Sequence, residues 1–187
     1  MTAVVITGIY GLARALERTR PDLVISITDP DDIFDPGSRD PARARIALAG
    51  VDCPVLSLAF HDVDQVLRDF IAPTLEDGRK VIAAVDAHLP GDGGTLLVHC
   101  HLGMSRSPAV ALLALGHVAL RREPGSADLA GRVADAVYAA APGAMPNMRV
   151  VGIAERLLDG FDGALHAEVR KHNTRVRASQ EDQPFTW

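Results

Sequence analysis

The segment from Thr95 to Arg122, TLLVHCHLGMSRSPAVALLALGHVALRR, decides the fold of this chain. Its first five residues form an apolar run that ends in a histidine, which is typical of a short buried β-strand. A cysteine and a short loop follow, and an apolar helical pattern then begins at Ser107 and Pro108, predicted as an N-cap and first helical residue. A strand, a loop and a helix N-terminus in this order place several backbone N–H groups around one point. Such an arrangement favours a tetrahedral anion.

Other short apolar runs alternate with amphipathic stretches along the chain, and this pattern predicts a sheet covered by helices. The predicted strands are 4–7, 23–28, 55–60 and 95–99, and the predicted helices are 11–20, 41–50, 63–89, 107–122, 126–142 and 145–160. Pro73 and Gly78 are expected to break the segment 63–89 or to start a new helix. The turn-rich segment from Asp29 to Pro41 follows a strand, where active-site loops of open sheets tend to lie.

We therefore expect an α/β fold with one central, mostly parallel sheet of about four to five strands flanked by helices. The 187 residues, 48% of them hydrophobic, are enough for a single well-formed core. The domain is predicted to span residues 1–170. Residues 171–187 lose the helical periodicity and are expected to form an extended or mobile tail.

Charge and cysteine content limit the partners and the location of the protein. The formal net charge of -5 gives no reason to expect nucleic acid or an anionic membrane as a partner. The only cysteines, Cys53 and Cys100, are too few for a disulfide framework and suit a reducing compartment. The apolar N-terminus lacks a basic region and is interrupted at Gly8 and Gly11, so neither a signal peptide nor a spanning helix is predicted. These features favour a cytoplasmic location.

The loop itself carries an unusual combination of residues, His99 and Cys100 followed after five residues by Arg106 and Ser107. From the frequencies of these residue types in the chain, the chance of such a match is roughly 5 in 10,000. The loop amides and the helix dipole favour a thiolate at Cys100, and the thiolate is the nucleophilic form of cysteine. Arg106 offers a planar fork that fits two phosphate oxygens. Gly103 allows the loop to turn sharply.

These residues resemble the His-Cys-x5-Arg-Ser/Thr signature of the cysteine-dependent protein tyrosine phosphatases, and the closest similarity is to compact dual-specificity-like members, including bacterial ones. The resemblance implies hydrolysis of phosphomonoesters through a phosphocysteine intermediate on Cys100, without a metal or another cofactor. It implies that the phosphate binds Arg106 and the preceding loop residues, which are His101, Leu102, Gly103, Met104 and Ser105. Ser107 would ease departure of the thiolate in the second step, and His99 would orient the loop by hydrogen bonding.

The resemblance also implies a general acid, an aspartate on an upstream loop that protonates the leaving oxygen. Several compact members place this acid third in a Phe-x-Asp step, which Phe60-His61-Asp62 matches. Asp62 is therefore the predicted acid and Asp64 the second candidate, although either could instead cap the following helix. Asn147 matches the Pro-Asn step that opens the last helix of such members, and would support the active-site loops or the hydrolytic water.

Several alternatives remain open at this level. The expected substrate is protein phosphotyrosine, with dual specificity or a small phosphomonoester as possibilities, and the loop interior lacks the lysines of lipid-directed relatives. A phospho-ligand binding module without turnover is the main rival, and sulfur transfer, as in rhodanese-like proteins, fits the loop length less well. A zinc site at His99 and His101 lacks a second ligand pair. Cys53 is expected to be inert, with a reversible disulfide to Cys100 as the alternative.

Overall fold

The computed structural model describes residues 2–30, 40–89 and 93–181. The strands are β1 (Ala3–Gly8), β2 (Leu23–Thr28), β3 (Val55–Ala59) and β4 (Thr95–Cys100). The helices within the described ranges are α1 (Leu12–Thr19), α2 (Asp40–Leu48), α3 (Leu75–His88), α4 (Arg106–Arg122), α5 (Leu129–Ala140), α6 (Met148–Leu157) and α7 (Ala164–Glu181). One 3-10 turn, Ile9–Gly11, connects β1 to α1.

The four strands form one parallel sheet in the order β1-β4-β2-β3. The sheet confirms the predicted α/β fold. β4 is inserted between β1 and β2, and its last residue, Cys100, pairs with Gly8 at the end of β1. Because all four strands run the same way, the loops that follow them converge at one edge. Ligands of open parallel sheets bind at this edge, where the strand order reverses.

The two central strands, β2 and β4, are buried on both faces, as expected of strands inside a parallel sheet. Alternate side chains therefore enter two separate cores. The larger core receives Leu23, Ile25 and Ile27 from β2 and Leu96, Val98 and Cys100 from β4. Val24 and Leu97 enter the smaller core, against α1 and α2. The sheet is thus covered on both faces.

Helix α4 is the centre of the larger helical layer and contacts α3, α5 and α6. The residues from Arg106 to Gly116 are all buried, which explains why the sequence reads as apolar without a clear polar face. A helix enclosed on this many sides cannot shift without moving its neighbours. The N-terminus of α4 is consequently a fixed point at the functional edge of the sheet.

The prediction for residues 63–89 is only partly correct. The helix α3 begins at Leu75, after a capping box in which Thr74 and Asp77 bond each other's backbone N–H groups, and residues 61–73 form a loop. Gly78 does not interrupt the helix. A Cβ atom at Gly78 would lie 2.6 Å from the side chain of Leu157, so the glycine allows α3 to approach α6 closely.

The expected extended tail is wrong for residues 171–181, which belong to α7. This helix crosses the predicted domain boundary at residue 170. His172 stacks on Tyr138 of α5, with ring centroids 3.4 Å apart and an interplanar angle of 5°, and burial raises the pKa of Tyr138 and lowers that of His172. This stacking packs the C-terminal part of α7 against α5. The sequence did not predict the helix, because a half-covered helix has a weak hydrophobic pattern. Residues 182–187 lie outside the described part.

Among the helices in the described ranges, none has both the length and the hydropathy of a bilayer-spanning segment.

We predict that Gly8→Ala destabilises the protein through a collision with the loop after β4. A Cβ atom at Gly8 would lie 2.8 Å from the carbonyl oxygen of His101 and 3.0 Å from Leu102 backbone atoms. The expected loss is about 1–3 kcal/mol of unfolding free energy, measured by urea denaturation. Gly152→Ala is the control. Its Cβ meets nothing within 4 Å, so a gain of about 0.5–1 kcal/mol is expected, and equal effects of both substitutions would contradict the steric explanation.

Candidate active site

The loop of residues 101–105 joins the last residue of β4 to the first residue of α4 and encloses the thiol of Cys100. Cys100 is 3% exposed. The backbone N–H of Gly103 donates to Sγ at 3.3 Å, and the hydroxyl of Ser107 lies 3.2 Å from Sγ. The thiol therefore has hydrogen-bonding groups from the loop and from the helix on two sides. Both groups can stabilise negative charge on sulfur.

The loop is pressed against the end of β1, and Gly103 is the residue that makes this approach possible. Its φ is +81°, and a Cβ atom would lie 2.7 Å from the carbonyl carbon of Thr7 and 2.8 Å from the nitrogen of Gly8. The backbone N–H of Ile9 also donates to the carbonyl of His101 at 2.9 Å. Conformation and space both require glycine at position 103, as the sequence indicated.

Arg106 is a buried cation, 4% exposed, at the N-terminus of α4. Its Nη1 donates to the carboxylate of Asp29 at 2.6 Å and to the carbonyl oxygen of Phe60 at 2.8 Å. Its Nε is buried without a hydrogen-bond partner among the described residues. The guanidinium is thus anchored on one side by the ends of β2 and β3, and retains a buried donor for another acceptor.

Asp29 is a site residue that the sequence analysis did not single out. The signal was its position, at the start of the turn-rich segment predicted to form an active-site loop. Its contact with Arg106 supports that prediction for its first residue. Residues 31–39 of the same segment lie outside the described part of the chain.

The structure brings Asp62 to the loop and gives Asp64 a different role. Asp62 Oδ1 accepts hydrogen bonds from Ser105 Oγ at 2.7 Å and from Asn147 Nδ2 at 2.8 Å. Asp64 Oδ1 accepts from the backbone N–H of Met148 at 2.8 Å. Because Met148 is the first residue of α6, Asp64 caps this helix and complements its dipole.

Asn147 links the loop that carries Asp62 to the loop that follows Cys100. It is the N-cap of α6, and its Oδ1 accepts from the N–H of Val150 at 3.0 Å. Its own backbone N–H donates to the carbonyl of Ser105 at 3.2 Å. The nearby N–H of Met145 donates to the carbonyl of Met104 at 2.8 Å. Asn147 therefore joins Asp62 to the backbone of the loop 101–105.

His61 closes the loop that carries Asp62, a role that the sequence analysis did not predict. The His61 ring Nδ1 accepts from the backbone N–H of Ile71 at 2.8 Å, and the His61 N–H donates to the carbonyl of Ile71 at 2.8 Å. His61 is buried, and its ring packs edge-on against Phe70. The two ends of the loop 61–71 are therefore joined beside Asp62.

His99 and His101 occupy different environments on either side of the thiol. His99 is completely buried, and its Nε2 is hydrogen-bonded to Ser26 Oγ of β2 at 2.8 Å. The ring of His101 lies edge-on to Tyr10, with centroids 6.2 Å apart. His99 thus ties β4 to β2 just before Cys100, while its role in orienting the loop stays a prediction.

Ser107 does not cap α4, contrary to the sequence prediction. The helix begins one residue earlier, at Arg106, and its N-cap residue Ser105 makes no side-chain capping bond. The hydroxyl of Ser107 instead contacts the thiol of Cys100, and the hydroxyl of Ser105 donates to the carboxylate of Asp62. The first turn of α4 therefore has no capping side chain from its N-cap residue.

Cys53 is separated from the site. It precedes β3 at the amino edge of the sheet, whereas Cys100 ends β4 at the opposite edge. Five residues along a strand correspond to about 16 Å, which is beyond the reach of a disulfide. Burial, followed by the carboxylates of Asp22 and Asp52, raises the pKa of Cys53 and keeps it a thiol. The alternative of a disulfide with Cys100 is therefore wrong.

The described residues also contain no group of three or more His, Cys, Asp or Glu side chains arranged to hold a metal ion.

The fold is similar to those of several solved phosphatases. Human DUSP28 is 19% identical, with 96% of each chain covered and a TM-score of 0.50. The Yvh1 phosphatase domain from Chaetomium thermophilum is 21% identical over 83% of this chain and 90% of that chain, with a TM-score of 0.55. The PTP-2 phosphatase of Cydia pomonella is 16% identical over 83% and 86%, with a TM-score of 0.57.

No family model matches the sequence, and no curated protein sequence is significantly similar to it. The structural likeness nevertheless shows that the chain has the fold of the protein tyrosine and dual-specificity phosphatases. The resemblance stated from the residues of the loop is confirmed at the level of the fold.

We predict that Asp29→Asn destabilises the protein, because it removes the negative charge beside the buried Arg106. The loss should be about 2 kcal/mol of unfolding free energy or more in urea denaturation. Asp86→Asn is the matched control, since this carboxylate is 48% exposed and pairs with Arg121 and with the ring of His117, and its loss should cost under about 1 kcal/mol. A smaller loss at Asp29 than at Asp86 would show that Asp29 does not balance the buried charge.

Proposed function

We propose that this chain hydrolyses phosphomonoesters, with protein phosphotyrosine as the favoured substrate, through a phosphocysteine intermediate on Cys100. The observation that carries the proposal is the pairing of a buried thiol with a buried arginine whose Nε lacks a partner among the described residues. A donor of this kind is expected to have an acceptor in the working state. A phosphate bound over the thiol supplies one. The fold, which is shared with protein tyrosine and dual-specificity phosphatases, supports this proposal by analogy.

The first chemical step is attack by the Cys100 thiolate on phosphorus. A sulfur–phosphorus bond forms, the ester phosphorus–oxygen bond breaks, and the electron pair stays with the leaving oxygen. Arg106 Nε and the loop N–H groups bind the charged equatorial oxygens, where their stabilisation is largest in the transition state. Arg106 meets this requirement because Asp29 and Phe60 already hold its Nη1 in place.

Asp62 is the proposed general acid for this step. Both hydrogen-bond donors, Ser105 and Asn147, lie on its Oδ1. The transferable proton would therefore reside on Oδ2, and moves from there to the leaving oxygen. In the second step a water molecule attacks phosphorus and gives a proton back to Asp62, while the sulfur–phosphorus bond breaks. The hydroxyl of Ser107, 3.2 Å from Sγ, donates to the departing thiolate.

The depth of the nucleophile supports phosphotyrosine. Cys100 is 3% exposed, whereas Leu102 and Met104 of the same loop are 67% and 41% exposed. If these exposed side chains border the entrance to the thiol, an aromatic ester suits the site, because it provides more length than a serine or threonine ester. A cytoplasmic location belongs to the proposal, because both cysteines are free thiols and the mechanism needs Cys100 reduced.

We predict that hydrolysis of para-nitrophenyl phosphate in EDTA depends on Cys100 and is abolished in Cys100→Ser. For phenyl phosphate, whose leaving group is poorer, Asp62→Ala should lower kcat about 100-fold or more and remove the basic limb of the pH profile. The loss with para-nitrophenyl phosphate should be smaller, because its leaving group needs a proton less. Rates are measured between about pH 5 and pH 8.

Asp64→Ala is the matched control for the acid, since it removes a nearby carboxylate that caps α6. It should retain the basic limb. Loss of that limb in Asp64→Ala alone would reassign the acid. A wild-type protein that is stabilised by phosphate but releases none from either ester would favour the binding module over the enzyme.

Ser107→Ala gives a separate prediction about the second step. Removing the donor to sulfur should slow thiolate departure, so kcat should fall about tenfold to a hundredfold while kcat/KM changes less. Rapid-mixing measurements should then detect a burst of nitrophenol equal to the enzyme concentration. Equal losses in kcat and kcat/KM without a burst would place Ser107 in the first step or in folding.

A further inference from the structure

Exposed apolar side chains are concentrated around the loop 101–105, which we call the phosphate loop. The described residues expose nine large hydrophobic side chains, and all except Ile46 and Val55 belong to three segments, which are residue 10, the loop 61–73 and the loop 101–105. We call these seven the apolar rim: Tyr10, Val66, Leu67, Phe70, Ile71, Leu102 and Met104. Single exposed apolar residues are common on protein surfaces, but a concentration at one place marks an interaction site.

Contacts place the three segments of the rim around the nucleophile. Leu102 and Met104 belong to the phosphate loop itself. Tyr10 follows β1 and lies against His101. Phe70 and Ile71 contact His61, the neighbour of Asp62, and Asp62 is bonded to the phosphate loop through Ser105. Because Cys100 is buried below this surface, any molecule that presents a phosphate to it must cover part of the rim.

The charges of the rim indicate which molecule fits. The loop 61–72 contains Asp62, Asp64 and Asp69 against one basic residue, Arg68. Arg43 stacks on the Tyr10 ring, 4.6 Å from its centroid. With the proton of the proposed acid on Asp62, the two other aspartates balance the two arginines, and the rim has no excess of positive charge. Acidic peptide segments and anionic bilayers both require local positive charge. The rim therefore favours a partner that is apolar and not acidic around its phosphate.

We propose that the substrate is a phosphotyrosine flanked on both sides by apolar residues in an extended protein segment. The inference deepens the proposed function and depends on it. Flanking apolar side chains bury against the rim when the phosphotyrosine enters the pocket, and the binding energy of these remote contacts orients the ester for attack. A membrane-borne phosphate would use the same apolar surface, but an anionic bilayer requires an excess of basic residues, which the rim does not have.

The test compares phosphotyrosine peptides of equal length in which the flanking residues are leucine and valine, serine and glycine, or glutamate. We expect kcat/KM for the apolar peptide to exceed that for the glutamate peptide by at least about tenfold. Val66→Ser combined with Leu67→Ser should reduce this ratio to within about threefold while hydrolysis of para-nitrophenyl phosphate stays unchanged. Neither residue belongs to the catalytic machinery.

Val55→Ser is the matched control, because it removes an exposed apolar side chain from the amino edge of the sheet. It should leave the peptide preference intact. Equal kcat/KM values for all peptides, with para-nitrophenyl phosphate still hydrolysed, would overturn the inference and spare the proposed function. Loss of hydrolysis of every ester would overturn both. Faster turnover of a phosphoinositide in phosphatidylcholine vesicles than of any peptide would assign the rim to a membrane and overturn the inference.

Discussion

The buried guanidinium of Arg106 is the interaction on which the rest of the site depends. A charge at 4% exposure is tolerated only when acceptors surround it. Its Nη1 donates to the carboxylate of Asp29, which follows β2, and to the carbonyl oxygen of Phe60, which follows β3. One side chain at the start of α4 thereby fixes the relative positions of a helix and two strand ends. The parallel direction of the strands makes this contact possible, because it places their carboxyl ends at one edge.

The remaining supports tie separate pieces of chain to the same loop. Gly8 and Gly103 allow backbone to contact backbone where a Cβ atom would collide. Asn147 joins α6 to Asp62 and to the Ser105 carbonyl, and His61 closes the segment that carries Asp62. Each of these groups is held by packing or by a second hydrogen bond. Such preorganisation is what electrostatic catalysis of phosphoryl transfer requires, since little covalent work is done by the protein.

The sequence predicted those elements whose structure depends on local patterns, and it failed for elements whose structure depends on contacts with other segments of the chain. All four strands and the helix after the phosphate loop were predicted within a few residues, because apolar runs and loop chemistry are local signals. The helix expected between 63 and 74 is a loop, since its ends bond each other at His61 and Ile71. The tail was expected to be extended, yet α7 continues to Glu181 and stacks His172 on Tyr138. Both errors have the same physical reason. The contacts that determine these two segments leave no periodic hydrophobic pattern in the sequence.

By itself the sequence determined the α/β class and made Cys100 and Arg106 candidates, whereas Asp62 became a candidate through the resemblance to the phosphatases. Residue spacing carries this information because a strand, a short loop and a helix terminus build the cradle within one stretch of chain. The tertiary structure alone decided that Asp62 and not Asp64 reaches the loop, that Asp29 balances Arg106, and that Cys53 lies at the opposite edge. These facts follow from strand order and from the docking of α6, which bring together residues separated by as many as 85 positions. No local pattern encodes such distances.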